Sequence, residues 1–284
     1  MRIANLHGRA HVLVDDGAVD VEELTRSAVG PDPSGAWGHL DEIRHAMDRG
    51  WDAHPYDTAA LGAPSPSPRQ VVAIGLNYRA HAAEMGLVTP AMPAAFTKFP
   101  SCLTGPFDDV ILWSETVDWE AEIVVVIGRT AHRVHERDAW AHVAAITVGQ
   151  DLSDRDVQVH TGGQFALAKS FAGYGPTGPW GVTVDELDDP DRLHITCTLN
   201  GEVVQDAWST EQVLSIPALI ARLTSVLTLW PGDLIFTGSP SGTGVSHDPP
   251  RYLVNGDVLV TSVDGVGTLR NAMIAAHRDL TNPD

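Results

Sequence analysis

From residue 71 onward the sequence is a succession of short apolar runs, and this succession constrains the fold more than any single residue. The runs at 71–76, 122–127, 144–148, 194–199, 234–236 and 258–263 are separated by Gly, Pro, Asn or Asp turns. Only 137–142 and 216–229 carry a helical pattern. A doubly wound parallel sheet needs a helical crossover of about 10–15 residues between its strands, and those are missing. The expected fold class is therefore mixed α/β, predominantly β.

Residues 1 to about 62 read differently, as a strand-like run at 11–14 and helical pieces near 22–24 and 39–47. Between the two parts lies Ala63-Pro64-Ser65-Pro66-Ser67-Pro68. Each proline lacks an amide hydrogen and restricts its predecessor, so this segment reads as a stiff linker. The expected division is a small N-terminal α+β domain with its linker, 1–66, and a larger domain, 67–284.

Charge narrows the partners. The 18 basic against 37 acidic side chains give 18 − 37 = −19, which excludes electrostatic binding to nucleic acid and disfavours an anionic membrane surface. No run has the length and apolarity of a membrane-spanning helix, and His7, Arg9 and His11 stand where a signal peptide would be apolar, so a cytoplasmic protein is expected. Cys102 and Cys197 sit in apolar contexts far apart and read as free, buried thiols.

The sharpest local pattern is Asp118-Trp119-Glu120-Ala121-Glu122 leading into an apolar run. Side chains alternate along a strand, so Glu120 and Glu122 point to one face about 7 Å apart. A solvated strand edge is one reading; a hard divalent cation with oxygen ligands is the other. Asp151, at the end of the 144–148 run, supplies a third carboxylate and favours Mg²⁺ or Mn²⁺ over zinc. His81 and Glu84, three apart on a short helical stretch, would let a carboxylate orient an imidazole as a water-activating base; an exposed helix histidine is the competing reading. Arg155 and Gln158 share a face in the same way, and Lys169 follows an apolar run. A surface ion pair and a snorkelling lysine are the alternatives there. The 237–244 stretch is rich in Gly but lacks the lysine of a phosphate loop, and reads as a turn that brings backbone amides to a ligand.

Taken in order, these segments resemble the fumarylacetoacetate hydrolase family. The pieces are Gly75-Leu76-Asn77-Tyr78 with His81 and Glu84, Phe96-Thr97-Lys98-Phe99-Pro100-Ser101, the 118–122 stretch, Gly149-Gln150-Asp151 with Arg155 and Gln158, Lys169-Ser170-Phe171 with Gly178-Pro179, Asn200-Gly201-Glu202, and Pro231-Gly232-Asp233 with Thr237-Gly238-Ser239-Pro240. The resemblance implies a β-roll-like catalytic domain, a homodimer, and Mg²⁺, with Mn²⁺ or Ca²⁺ as alternatives, on Glu120, Glu122 and Asp151. It implies a small oxo-acid substrate, with His81, Glu84 and Lys169 catalytic and Asn77, Tyr78, Arg155, Gln158 and Ser239 at the substrate. The expected activity is hydrolysis of a carbon–carbon bond in a 1,3-diketo or acylpyruvate-like acid; a 2-oxo acid decarboxylase, or an isomerase or hydratase of an unsaturated oxo-diacid, is the alternative on the same site. A non-catalytic metal-stabilised dimer would have no need of the His81–Glu84 pair or Lys169. Ala172-Gly173 stand where the family commonly has Asp-Thr, and Ser239 where it often has Thr.

Overall fold

The computed structural model describes residues 1–276 apart from 16, 87, 89 and 90, and strands dominate it, as expected. The larger sheet runs in the order Gly17–Asp20, Arg9–Val14, Arg2–Leu6, Gly175–Thr183, Val143–Gln150, Ala121–Ile127, Leu234–Phe236, Val71–Gly75, Ala94–Thr97, with two short strands pairing off this path, one with Arg2–Leu6 and one with Gly175–Thr183. A second sheet holds Glu202–Trp208, His194–Leu199, Val258–Val263, Gly267–Ala275 and Val110–Leu112. Most neighbours are antiparallel; Leu234–Phe236 runs parallel to Val71–Gly75, and Gly267–Ala275 to Val110–Leu112.

The strand Ala121–Ile127 is buried along its whole length, which is why its sequence is a continuous apolar run. Ile123, Val125 and Ile127 pack into the core shared with the second sheet and the helix Ile216–Thr224. Val124 and Val126 pack on the opposite face, with Trp37, Ile43 and Phe236. Glu122 falls on that same even-numbered face, one step beyond the last of these valines, and Glu120 one step further. The end of the strand is thus where an apolar face turns into a charged one.

Residues on both sides of the 66/67 boundary share one sheet, since Arg2 pairs with Val182 and Ile3 with Gly181. The proline-rich segment between them, expected as a stiff linker, is anchored along part of its length. Ala63, Pro64 and Ser65 are buried. The Trp37 indole donates to the Pro64 carbonyl at 3.0 Å, the Ser65 hydroxyl to the Gly232 carbonyl at 2.7 Å, and the Ser67 amide to the Ser34 hydroxyl at 2.8 Å. Prolines have no N–H to offer a ladder, so the carbonyls around them are satisfied by side chains from elsewhere.

Two helical expectations change in detail. The 137–142 pattern lies in a 3-10 helix, Glu136–His142. The helix expected over 216–229 is capped by Ser215 and ends at Thr224, because Leu229 is taken up by a bridge to Ala131. Both cysteines are free and buried.

Candidate metal centre and active site

Strand register builds the carboxylate cluster. Asp151 directly follows Val143–Gln150, and its amide donates to the Glu120 carbonyl at 2.9 Å, so the two acids face each other across the ladder. Glu122 pairs with Gly149. A β-carbon on Gly149 would come within 2.5 Å of Val124 Cγ2 and 2.9 Å of Phe236 Cε1, so only glycine fits beside Glu122 there. One carboxylate oxygen from each of Glu120, Glu122 and Asp151 lies within 4.8 Å of the others, and all three residues are buried. The Glu120 amide is held by Gln150 Oε1 and the Ala121 amide by Gln205 Oε1, each at 2.9 Å, which pins the strand end.

Three cations answer these charges unevenly. Lys169 closes the short helix Phe165–Ala168 and donates to Glu120 Oε2 at 2.6 Å and Asp151 Oδ2 at 2.7 Å. Arg155, the first residue of the helix Arg155–His160, donates to Asp118 and Glu120, both at 2.7 Å through one nitrogen, and to Gln158 Oε1 at 2.9 Å. Lys98, wholly buried, donates to Asp151 Oδ1 at 2.7 Å, to the Lys169 carbonyl, and to the Tyr174 carbonyl at 3.2 Å. Burial opposes the charge on Glu120, yet Lys169 and Arg155 outweigh it and hold that carboxyl well below its usual range. Burial likewise opposes the charge on Lys98, and Asp151 outweighs it, so its ammonium titrates above the ordinary value.

Glu122 is the exception. It accepts one hydrogen bond, from the Gly238 amide at 2.7 Å, and no ion pair reaches it among the described residues. Burial first, then Asp151 and Glu120, push its carboxyl well above the usual range. Three convergent oxygen donors, one without a cationic partner, fit a hard divalent ion such as Mg²⁺, Mn²⁺ or Ca²⁺.

The helix Arg79–Glu84 carries the dyad, with His81 Nδ1 3.2 Å from Glu84 Oε2. His81 is buried, close enough to Glu120 to lower its pKa. Glu84 accepts from the Gly242 amide at 3.2 Å. Gly242 sits at φ +97°, where an added β-carbon would lie 1.9 Å from the Val204 carbonyl oxygen, so glycine is required. The Gly-rich 237–244 stretch, expected to bring amides to a ligand, spends three of them on the chain's own carboxylates: Gly238 on Glu122, Gly242 on Glu84, and Gly244 on Asp118 at 2.6 Å.

The remaining expected residues divide. Asn77 spends its side chain on backbone, donating to the carbonyls of Leu214 and Thr237 and accepting from the Leu214 amide, and so braces the strand end. Ser239 accepts from Gln205 at 2.9 Å. Tyr78 is buried with its hydroxyl unpartnered among the described residues, and burial, then Glu122, raise its pKa. Lys98, Asp118, Gln150 and Gln205 received no role from the sequence. Asp118 accepts from the Trp119, Gly244 and Val245 amides and from Arg155, and so ties the Gly-rich loop to the guanidinium. A signal for Lys98 existed, in that a lysine between Phe96 and Phe99 has few apolar reasons to be there.

A strand-dominated α/β scaffold that gathers buried carboxylates, a lysine and a His–Glu pair at one strand end defines an enzyme-type acidic centre. The family model for the fumarylacetoacetate (FAA) hydrolase C-terminal domain matches residues 70–274, and the chain belongs to that family of enzymes. It is 39% identical over 238 residues to the human mitochondrial oxaloacetate tautomerase FAHD2A, covering 83% of this chain and 76% of that protein. A Mycobacterium smegmatis protein that carries the provisional name HpcE superposes with a TM-score of 0.92 at 45% identity, over 98% of this chain and 100% of that one. Maleylpyruvate hydrolase from Sphingobium sp. SYK-6, solved with manganese(II) and pyruvate, superposes with a TM-score of 0.81 at 29% identity, over 98% and 100%. Among the described residues no helix is long and apolar enough to cross a membrane.

Proposed function

We propose that this chain is a divalent-metal-dependent enzyme that draws a small 2-oxo acid to its enolate, with Glu120, Glu122 and Asp151 holding the ion. The observation that carries this reading is Glu122, a buried carboxylate beside two others with no cation of its own. Mg²⁺ is the proposed ion, and Mn²⁺ or Ca²⁺ would satisfy the same donors. Such an ion, when bound, would polarise the 2-oxo group and stabilise enolate charge.

The chain's own residues do the rest. Glu84 engages Nδ1 of His81, which leaves Nε2 to take a proton from substrate carbon or from water. The Lys169 ammonium offers charge to the developing oxyanion. Gln158, whose Oε1 is held by Arg155, keeps its amide nitrogen for a substrate oxygen. Asn77, Tyr78 and Ser239 shape the wall behind it.

Return of the proton to oxaloacetate-like carbon is the proposed outcome, supported by the identity to the human tautomerase. Hydrolysis of a carbon–carbon bond in an acylpyruvate-like acid is the second reading. It is favoured by the His81–Glu84 pair, which is built to activate water, and by the likeness to maleylpyruvate hydrolase. A cytoplasmic homodimer belongs to the same proposal, and sedimentation of the purified chain as a monomer would remove the dimer from it.

The test is a panel of oxaloacetate and acylpyruvates with Mg²⁺, following enol absorbance and product mass together. Loss of enol signal at constant mass supports tautomerisation; pyruvate together with the matching carboxylic acid from an acylpyruvate supports hydrolysis, whereas pyruvate and carbon dioxide from oxaloacetate mark decarboxylation. His81→Ala should lower either rate about 10²–10⁴-fold. Undiminished turnover after exhaustive chelation would overturn the metal reading.

A further inference from the structure

Lysine is nearly absent from this chain: of its 18 Lys and Arg residues, only Lys98 and Lys169 are lysines. Both are buried, and both donate to the same carboxylate, Lys98 to Oδ1 of Asp151 and Lys169 to Oδ2, each at 2.7 Å. Every other permanent side-chain cation is an arginine. The difference is chemical, because a guanidinium is a planar fork whereas an ammonium is a compact charge with three freely directed donors.

Lys98 uses all three donors inside the protein, on Asp151 Oδ1, the Lys169 carbonyl and the Tyr174 carbonyl. None is left to meet a substrate. We propose that Lys98 is the positioning residue of the metal centre. Its hold on Oδ1 fixes the rotation of the Asp151 carboxylate, with Oδ2 turned toward Lys169. Its hold on the Lys169 carbonyl sets the backbone from which the second ammonium reaches the same cluster. This rests on the reading of Glu120, Glu122 and Asp151 as metal ligands, and adds that their geometry is set by a lysine that touches neither ion nor substrate. A buried ion pair that merely stabilises the fold would make no such demand.

The experiment measures Mn²⁺ binding by calorimetry to the full chain and to Lys98→Met, Lys98→Arg and Lys98→Ala, with thermal unfolding in chelator recorded alongside. Partners that orient a ligand typically govern metal affinity by 10–100-fold. Folded variants should bind Mn²⁺ weaker by about that factor, arginine included, and ethylammonium added to Lys98→Ala should restore affinity where ethylguanidinium does not. Folded variants that bind Mn²⁺ with native affinity overturn the proposal. Should the variants fail to fold, the native chain labelled with ¹⁵N at lysine Nζ decides. Its two ammonium signals are distinguished by selective loss in Lys169→Met, and the Lys98 signal should move on Mg²⁺ saturation; an unmoved signal overturns the proposal. If the native chain binds neither Mn²⁺ nor Mg²⁺, the ligand assignment itself falls and takes the role of Lys98 with it.

Discussion

A buried or half-buried charge persists only where its neighbours answer it, and two sites show this at the scale of single residues. Arg155 was expected at the substrate, yet its donors go to Asp118, Glu120 and Gln158, so it orients the cluster before it can clamp a ligand. The second site is on the surface of the smaller sheet. His194 stacks on Trp208 at 4.6 Å between centroids, with Nε2 2.7 Å from Asp206 and Nδ1 3.0 Å from Asp264. The Asp206 hydrogen bond leads in raising its pKa above the ordinary imidazole value, against partial burial and with help from Asp264. The guanidinium of Arg192 lies over the other aromatic partner, Trp208, at 3.9 Å. A pKa raised on folding means the imidazolium stabilises the fold fully below the unfolded value of about 6.5, and that this contribution is lost as pH rises through the folded pKa. The difference in melting temperature between the native chain and His194→Gln should therefore be largest near pH 5.5 and shrink toward pH 9. A difference that stays constant over that range would show that the pairing does not titrate.

Among elements, the strand Gly175–Thr183 was the least legible and is among the most central. Its sequence, with Pro176, Gly178, Pro179 and Gly181, reads as a loop, since proline offers no ladder donor and glycine packs nothing. The strand forms through its ladders to Val143–Gln150 and Arg2–Leu6, and its glycines stand where neighbours come too close for side chains. A β-carbon on Gly181 would lie 2.4 Å from the Trp37 ring and 3.0 Å from Ala145 Cβ. Trp37 belongs to the N-terminal part, so Gly181 is where that part seats on the central sheet. Gly181→Ala should cost about 1–3 kcal/mol, as overpacking of a filled core does, measured by urea unfolding; a native midpoint would mean that Trp37 has room to move. The contrast with Ala121–Ile127 explains what sequence could show. A strand buried on both faces announces itself by composition, and Glu120, Glu122 and Asp151 followed from alternation and from a strand end. Lys98 could be noticed locally, but the contacts of Lys98 with Asp151, of Gln150 with the Glu120 amide and of Gln205 with the Ala121 amide form only through pairings between distant segments, which no local spacing encodes. The anchoring of the proline-rich segment was hidden for the same reason, since Trp37, Ser34 and Gly232 lie far from it or on another element.

At the scale of the whole molecule, a net charge of −19 works against compactness, and any added cation relieves that repulsion. Stabilisation by Mg²⁺ or Mn²⁺ alone is therefore poor support for a specific site. Glu122 separates the two effects. Glu122→Gln changes the total charge by one unit in 19, keeps an acceptor for the Gly238 amide, and removes the carboxylate that Asp151 and Glu120 repel. In chelator the variant should be at least as stable as the native chain, because a buried like-charge contact has been relieved. With Mn²⁺ at about 100 times its dissociation constant, the native chain should gain about 2.7 kcal/mol, a rise in melting temperature of roughly 5 °C beyond that given by sodium chloride at matched ionic strength. The variant should show the ionic-strength effect and little of the excess. The two unfolding curves are thus expected to cross in rank as the divalent ion is added, which general screening of surface acids cannot produce. If both proteins gain equally from Mn²⁺, the ion acts on the acidic surface, and the cluster at the strand end is a set of buried acids balanced by Lys98, Lys169 and Arg155 alone.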